Sequence, residues 1–393
     1  MPARTDVTGA DTYVLQEAIS AYSDEAYTNA KKLSGTGIVG GNDQVDPSTE
    51  TFIGQIRWNK PLNPTINIAS LTNSANGSTT TYTTDMLRYV KTVRTHGAEK
   101  VNMQQVVTQV DGLAKISRDF GETRAQDEHN AILNVMKGVA ISEALNGAAT
   151  GSGETGLGGQ TFDNDPKDDK YGFYVDLGAA KPIIDATAAI QGAARAQGFL
   201  DAIGKAYKDY EPEYAYLITS PEIMASLRSA NLVDSDGVRD GNVMFNTIFG
   251  GKFRLIQTRA TQSLTTAELA EINTGAGVDI VGTKTSYIVL PGSLVMEQLA
   301  VPMSTEIDRA AAAYAGGGTT QIWYRWGYVA HPAGYDWAGS QEKFPSDAEY
   351  TYISESGTPK ELTTVTTIAN ATGTWVRKTE SALSLGILPV FHS

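Results

Sequence analysis

Strict alternation of residue types over 319–337 predicts a long β-strand with one wholly apolar face. Successive side chains of a strand point to opposite faces, and one face here carries Ile322, Tyr324, Trp326, Tyr328 and Ala330. The run 293–309 shows the same pattern, with apolar residues of one parity at Val295, Leu299, Val301, Met303 and Ile307. Three glycines at 316–318 suit a loop between the two runs. We therefore predict an antiparallel hairpin with strands of about 40 Å.

A helical repeat of apolar residues predicts a long rod over 119–147. One face carries Ile132, Met136, Val139 and Ala140 at helical spacing. Thr123 and Gln126 fit a capping box at its start, and Gly147 is placed to end it. About 25 residues at 1.5 Å each make a rod of about 37 Å. We expect its apolar stripe to pack against the apolar face of the long hairpin.

Residues 51–110 have the composition of β-structure with little core of its own. The runs INIASL and STTTYTT flank the turn dipeptide Asn76-Gly77, in which both residues tolerate positive φ. Most side chains beside this turn are Thr, Ser or Asn. We therefore expect an exposed polar hairpin that needs a partner surface.

Helical and extended patterns alternate over 175–291 and predict a compact α/β unit. Its predicted helices and strands lie at 182–207, 214–219, 221–230, 252–257 and 286–290. Residues 1–50 are expected to form an arm with one helix at 11–33. The tail, 341–393, has β-like runs at 350–353, 362–368 and 374–377, followed by the apolar LGILPVF.

Charge and cysteine content narrow the classes of function. The chain has 44 acidic and 31 basic residues, for a net charge of −13, so it lacks the basic footprint of a duplex-binding protein. The absence of cysteine excludes disulfides, thiolate zinc sites and cysteine nucleophiles. The N-terminal residues do not resemble a signal peptide, and no apolar run reaches about 18 residues. We expect a soluble protein made in a cytoplasm.

Two strings resemble ligand-binding motifs, but neither has the required context. Gly151, Gly153 and Gly156 match the dinucleotide fingerprint, which needs a strand before it and a helix after it. Here a predicted helix precedes the glycines, so a loop is favoured. Asp236 and Asp240 resemble part of a calcium loop, but Val238 and Thr247 occupy the positions where ligands are needed. The acidic cluster at 163–169 is interpreted as a solvated loop.

The histidines and aromatic residues favour structural roles over catalytic or binding ones. The four histidines are too far apart for an HExxH site, and no GxSxG elbow occurs. His129 is expected in an interface or the core, and His331 at a strand end before Pro332, which suits a turn. A stacking platform for single-stranded nucleic acid would need several basic residues among the aromatics of 323–328, and only Arg325 is there. The pattern predicts no enzyme, cofactor or metal site, although a site assembled from distant residues stays open.

The order of these predicted parts resembles the major capsid proteins of tailed bacteriophages. The resemblance rests on GETRAQDEHNAILNVMKGVAISEALNG as a spine helix, on the polar hairpin before it, and on YRWGYVAHPAGYDW at the end of the long hairpin. This family has the Hong Kong 97-type, or Johnson, fold, which encapsulin shells share. The resemblance covers about residues 1–340.

The resemblance implies an α+β fold with five parts. These are an N-terminal arm at 1–50, an extended β-hairpin called the E-loop at 51–110, a peripheral domain with the spine helix and long antiparallel hairpin at 111–174 and 292–340, an axial α/β domain at 175–291, and a β-rich C-terminal extension at 341–393. The family often has a scaffolding domain of about a hundred residues before the arm. Because this chain has about 50 there, a separate scaffolding protein is expected. The lysine and asparagine of the cross-link in one branch have no match here.

The implied function is a virion shell. Copies of the chain would assemble in the host cytoplasm into hexamers and pentamers of an icosahedral head around double-stranded DNA, without membrane contact and without reading the DNA sequence. Other implied partners are a portal and a decoration protein. Residues expected at contacts between subunits are Ile66, Ile68, Leu71, Asn76 and Gly77. The alternatives are an encapsulin-like cellular compartment, a soluble hydrolase with a scattered site, and a tail-tube or other helical virion protein.

Overall fold

The structure is a computed structural model of the 393-residue chain. It describes residues 9–31, 33–59, 84–101, 112–148, 175–176, 199–200, 202–203, 207, 212–229, 231–234, 237–240, 243–258, 264–276, 280, 284–310, 318–355, 358–361, 372–378 and 385–392. Statements below about what is absent apply to these residues.

The fold is α+β, with two large sheets and one dominant helix. The α-helices are α1 (Gly9–Ala30), α2 (Gly112–Ala148), α3 (Pro221–Ser229) and α4 (Thr266–Ala276), and 3-10 turns lie at Leu33–Gly35 and Ala348–Thr351. The strands are β1 (Val39–Gly40), β2 (Ile53–Asn59), β3 (Thr84–Val101), β4 (Val175–Asp176), β5 (Ala215–Thr219), β6 (Val238–Asp240), β7 (Val243–Ile248), β8 (Phe253–Gln257), β9 (Lys284–Val289), β10 (Leu294–Gln298), β11 (Thr305–Ala310), β12 (Thr319–Pro332), β13 (Tyr335–Trp337), β14 (Ile353–Glu355), β15 (Thr358–Lys360), β16 (Thr372–Gly373), β17 (Trp375–Arg377) and β18 (Ile387–His392).

The predicted long hairpin forms the centre of the first sheet, in the order β1-β10-β12-β3-β2. Strands β10 and β11 both pair antiparallel with β12, so the hairpin is confirmed. Its upstream arm is not one continuous strand, however, because 299–304 leaves the ladder between β10 and β11. On its other side β12 pairs with β3 over eleven residues, from Thr319↔Val101 to Val329↔Lys91.

The two faces of this sheet are covered differently. The predicted apolar face of β12 is buried in the main core through Ile322, Tyr324, Trp326, Tyr328 and Ala330. The single parity predicted for 293–309 is wrong, because the break at 299–304 changes which face the later residues occupy. Leu299 joins a smaller cluster on the opposite face with Val45, Ile56, Tyr89 and Val329. Met303 is 70% exposed, and Ile307 packs against the main core.

Helix α2 supports the core face of this sheet, as predicted. It begins at Gly112, seven residues before the predicted start. The predicted capping box is wrong, because Thr123 lies inside the helix and its hydroxyl donates to the Asp119 carbonyl one turn back. The predicted apolar stripe through Ile132, Met136, Val139 and Ala140 is buried. The ring stacking and side-chain hydrogen bonds between α2 and β12, however, come from Phe120, Arg124 and Asp127.

The second sheet has seven strands in the order β4-β18-β9-β5-β8-β7-β6. The predicted strands at 214–219, 252–257 and 286–290 are confirmed as β5, β8 and β9, and the predicted helix at 221–230 is confirmed as α3. The parallel pair β5 and β8 lies at the centre. Strand β18, from the end of the chain, pairs antiparallel with β9. The apolar LGILPVF run is therefore part of this sheet's core.

Other parts of the tail form two small sheets, β15-β14-β16 and β13-β17, that pack against α2. Residues 348–351 form a 3-10 turn, so the strand predicted at 350–353 begins only at Ile353, as β14. Strand β17 confirms the predicted run at 374–377 and pairs with β13. Gly138 of α2 lies so close to the Tyr350 carbonyl and the Trp375 ring that a side chain there would collide with both. The predicted run at 362–368 lies outside the described residues, as do the glycine motif at 151–156, the acidic cluster at 163–169, Asp236 and most of the helix predicted at 182–207. The division into five domains stays a prediction.

Candidate assembly surfaces

The base of the predicted polar hairpin is formed by β2 and β3. These strands pair antiparallel from Ile53↔Val90 to Asn59↔Thr84, so the chain leaves and re-enters the sheet at directly opposed residues. Residues 60–83 lie between them, and within that segment only Lys60 is charged. The predicted contact residues Ile66, Ile68, Leu71, Asn76 and Gly77 all belong to this segment and lie outside the described residues. Their role stays a prediction.

A loop at 41–51 crosses the outer face of the sheet and holds the hairpin base in place. The Lys91 ammonium of β3 is fully buried and donates to Asp46 Oδ2 at 2.7 Å and to the Ser48 carbonyl at 2.7 Å. This ammonium, together with the hydrogen bonds from Ser48, holds the pKa of Asp46 below its usual range. The Asp46 N–H donates to the Tyr89 hydroxyl at 2.8 Å. These bonds therefore attach the loop directly to β3.

A buried polar cluster joins α1, α2 and the central sheet. Glu128 of α2 has no exposed surface and accepts hydrogen bonds from the Tyr27 hydroxyl at 2.6 Å and from Gln298 Nε2 at 2.9 Å. Arg124 lies over the Tyr27 ring at 4.0 Å and donates to Gln298 Oε1 at 2.8 Å and to the Tyr324 hydroxyl at 3.1 Å. Burial, followed by the Glu128 carboxylate, raises the pKa of the Tyr27 phenol well above its usual range. Helix α1 is thus fixed to its own chain.

Beside this cluster, α1 and α2 enclose a groove of about 550 Å³. Its walls carry both signs of charge, from Lys31, Arg118, Glu25 and Glu122, and include His129. His129 is buried, in agreement with the prediction of a core or interface residue. Mixed charge on the walls does not by itself identify a class of ligand for this groove.

The described residues contain one pairing that resembles catalytic chemistry. Ser286 Oγ lies 2.8 Å from His392 Nε2 and 3.0 Å from Thr219 Oγ1. The three residues lie on the neighbouring strands β5, β9 and β18 and are buried, so their side chains are not accessible at the surface of the described structure. They tie neighbouring strands together. Within the described residues no group of three His, Asp or Glu side chains has the geometry of a metal site, and none of the described helices has the length and apolarity of a membrane span.

The aromatic residues of β12 divide between the core and the surface. Tyr324, Trp326 and Tyr328 are buried, which confirms core packing over a nucleic-acid stacking platform. Trp323 faces outward and is 40% exposed. A stacking platform needs several accessible rings along a basic groove, and one ring does not make one.

Comparison with known proteins gives structural matches only. No protein-family model and no curated protein matches the chain. The capsid of Ralstonia phage GP4 is 12% identical, with 77% of this chain and 84% of that chain covered at a TM-score of 0.43. The mature capsid of bacteriophage PhiM1 is 15% identical, with 73% of this chain and 81% of that chain covered at a TM-score of 0.41. The head of Helicobacter pylori bacteriophage KHP40 is 9% identical, with 91% of this chain and 90% of that chain covered at a TM-score of 0.41. These matches fall in the class of proteins that the sequence resembles.

His331 lies at the end of β12, as predicted, but it is paired within the strand with Val295, and the expected turn follows only after Pro332. The residue is buried, and its imidazole packs edge-on against Trp375 at 5.7 Å. Burial lowers the pKa of His331 to about 4, although the nearby Asp336 carboxylate opposes this shift. The ring is therefore neutral at pH 7 and becomes harder to accommodate in acid.

We expect His331 to make the protein less stable as the pH falls from about 6.5 to about 4. In the unfolded chain a histidine binds a proton near pH 6.5, whereas folded His331 stays neutral until about pH 4. The free energy of unfolding should therefore drop by about 3 kcal/mol across this window. Urea unfolding at several pH values checks this. His331→Leu, which cannot titrate, should show a shallower decline, and parallel curves for the two proteins would contradict the assignment.

Proposed function

We propose that this chain is the shell subunit of a bacteriophage head. In this proposal it assembles in the host cytoplasm into hexamers and pentamers of an icosahedral shell that encloses double-stranded DNA. Its partners are further copies of itself, a separate scaffolding protein, a portal and a decoration protein. No catalytic step is assigned to it, and the resulting location is the virion.

The hairpin base is the observation that carries the proposal. Strands β2 and β3 end at the opposed pair Asn59 and Thr84, and 24 nearly uncharged residues extend beyond it. Neutral Ser, Thr and Asn side chains, together with the two isoleucines Ile66 and Ile68, suit a surface that becomes buried against another subunit. The central sheet and the hydrogen bonds from Lys91 to Asp46 and Ser48 provide the rigid base that such an extension needs.

The rest of the molecule also suits a subunit of a closed shell. Helix α2 spans 37 residues, about 55 Å, and contacts both the central sheet and the C-terminal tail. A stiff body with several separate contact surfaces allows weak pairwise contacts to add through multivalency. The net charge of −13 would keep the inner wall from trapping packed DNA, because phosphate neutralisation depends on Lys and Arg.

Deleting 63–83 tests the role of the hairpin. The deletion leaves only Lys60, Pro61 and Leu62 between the opposed residues Asn59 and Thr84, a loop length that hairpins accept. We expect a monomer with an unchanged circular dichroism spectrum that forms no closed particles under conditions in which the full chain does. Negative-stain electron microscopy of both proteins checks this. Normal particles from the deletion variant would overturn the interface role of the hairpin.

The proposal and its alternatives predict different assemblies, which electron microscopy and a sizing column distinguish. Closed isometric shells argue against a tail tube, which would form helical assemblies. Particles that form without a scaffolding protein and contain an enzyme cargo would indicate an encapsulin-like compartment. A stable monomer on a sizing column, with a melting temperature that rises on adding a small ligand, would indicate a soluble enzyme.

A further inference from the structure

A four-residue crossover connects the two sheets directly. Strand β9 of the second sheet ends at Val289 and β10 of the central sheet begins at Leu294, so residues 290–293 form the link. Gly292 in this link has a φ of 70°, a left-handed conformation that glycine adopts at little cost. Short turns of this kind absorb the rotation when two parts of a protein change their relative angle. The crossover is therefore the place where the sheets would turn against each other.

Hydrogen bonds from the crossover reach two distant parts of the chain. On the side of the central sheet, the Gly292 N–H donates to the Gly37 carbonyl at 2.8 Å. On the side of the second sheet, the Leu290 N–H donates to the Gly386 carbonyl of the C-terminal tail at 2.7 Å. The Ser293 hydroxyl donates to the same Gly386 carbonyl at 3.0 Å. The tail thus contacts both ends of the crossover.

The tail and the crossover touch without space between them. A Cβ added at Gly386 would collide with the Ser293 side chain and lie 3.1 Å from Ser293 Cα. Gly386 does not have a positive φ, so glycine is required here for close approach rather than for backbone conformation. Ser293 is 3% exposed, and the Tyr207 hydroxyl donates to the neighbouring Leu385 carbonyl at 2.9 Å. Neither side of the contact can therefore shift without disturbing other buried groups.

We propose that the contact between Ser293 and Gly386, called the clasp below, lets the C-terminal tail fix the angle between the two sheets. Ser293 directly precedes β10 of the central sheet, and Gly386 directly precedes β18 of the second sheet. The clasp therefore bridges the crossover from one sheet to the other. While it is closed, the turn at Gly292 has no room to rotate, and when it opens the second sheet turns about 290–293. This inference concerns the single chain and does not depend on the proposed function.

Helix α2 is the other element that contacts both sheets. It also reaches α4, which precedes β9, through an ion pair in which Lys137 Nζ lies 2.9 Å from Glu268 Oε1. An ammonium on a flexible four-carbon stem can follow a small displacement of its partner. The clasp has no such freedom, because it consists of a backbone carbonyl, a short side chain and a glycine in direct contact. The clasp is therefore the stiffer of the two connections.

Spin labels on the two sheets measure the angle. Because the chain has no cysteine, labels can be placed by Met86→Cys in β3 and Met244→Cys in β7, at side chains that are 45% and 62% exposed. We expect pulsed electron paramagnetic resonance of the unassembled chain to give a narrow distance distribution, and Gly386→Ala to at least double its width. Gly373→Ala is the matched control, since a Cβ there also collides with a serine, Ser142 of α2, but away from the crossover. It should lower the melting temperature without widening the distribution.

Restoring space at the clasp should reverse the effect. Ser293→Gly removes the side chain that the new Cβ meets, so Gly386→Ala combined with Ser293→Gly should show the width of Ser293→Gly alone. The proposal is wrong if Gly386→Ala is no wider than Gly373→Ala, or if the double variant stays as wide as Gly386→Ala. Lys137→Met should leave the width unchanged. A wider distribution for Lys137→Met than for Gly386→Ala would assign the angle to α2 and overturn the proposal.

Ser293→Ala decides the question if Gly386→Ala does not fold, because it adds no atom and removes only the hydroxyl. We expect hydrogen exchange at the Leu290 amide, which donates to the same Gly386 carbonyl, to become several-fold faster than in the unmodified chain. Exchange of the amides that pair β9 with β18 should stay the same, since the second sheet remains intact. An unchanged rate at Leu290 would contradict the clasp, and so would faster exchange throughout β9 and β18.

Discussion

Replacing Trp326 by alanine should lower the free energy of unfolding by about 3–5 kcal/mol. The side chain is 5% exposed, its ring stacks on Tyr324 at 5.6 Å, and its indole N–H donates to Asp127 Oδ2 at 2.8 Å. Alanine leaves a cavity between β12 and α2 and removes a hydrogen bond from a carboxylate whose pKa burial already raises. Urea unfolding of the unassembled chain measures the loss, because assembly would otherwise add concentration-dependent stability.

Trp323→Ala is the matched control, since it removes the same residue type three positions earlier in the same strand. That indole faces outward, so we expect a loss of about 1 kcal/mol or less. If Trp326→Ala were as stable as Trp323→Ala, the buried contact between β12 and α2 would be wrong.

The buried face of β12 could be predicted because its alternation runs unbroken from Ile322 to Ala330, and only a strand places such residues together. The same reasoning failed for 293–309. Alternation assumes a continuous ladder, and the departure at 299–304 changes the face on which later residues lie. The proline after His331 predicts a turn at the strand end, one position too early. Pro332 is instead the last residue of β12, opposite Leu294, a strand end where proline is tolerated.

The local sequence pattern does not predict which distant segments of the chain contact each other. The run that forms β18 is short and continuously apolar, which is compatible with several structures, and its partner β9 lies about a hundred residues earlier. The hydrogen bonds of Lys91 to the 41–51 loop and the polar cluster around Glu128 correspond to no sequence pattern beyond single charged residues. Arg124 and Glu128 are spaced i, i+4, which usually describes an exposed helical pair. Their burial depends on α1 and β10 arriving from distant parts of the chain.

Glu128→Ala should destabilise the protein about as much as Trp326→Ala, by about 3–5 kcal/mol, for an electrostatic reason. The carboxylate has no exposed surface and accepts from Tyr27, Gln298 and, at 3.4 Å, from Arg124 Nε. Removing it leaves the largely buried Arg124 guanidinium with only the exposed Asp24 carboxylate, at 3.5 Å, as a counter-charge, which costs more than the net value of the pair. Because Tyr27 also loses its acceptor, hydrogen exchange should accelerate most in α1.

Two further variants separate this electrostatic account from simple loss of packing. Glu122→Ala changes an exposed carboxylate on the same helix and should shift the free energy of unfolding by no more than about 0.5 kcal/mol. The double change Arg124→Met with Glu128→Leu removes both charges at similar volume, and should recover much of the stability that Glu128→Ala loses. If the double variant were less stable than Glu128→Ala, the pair would be holding α1 through its hydrogen bonds rather than by charge compensation. Equal hydrogen exchange in α1 for Glu128→Ala and Glu122→Ala would contradict the buried cluster itself.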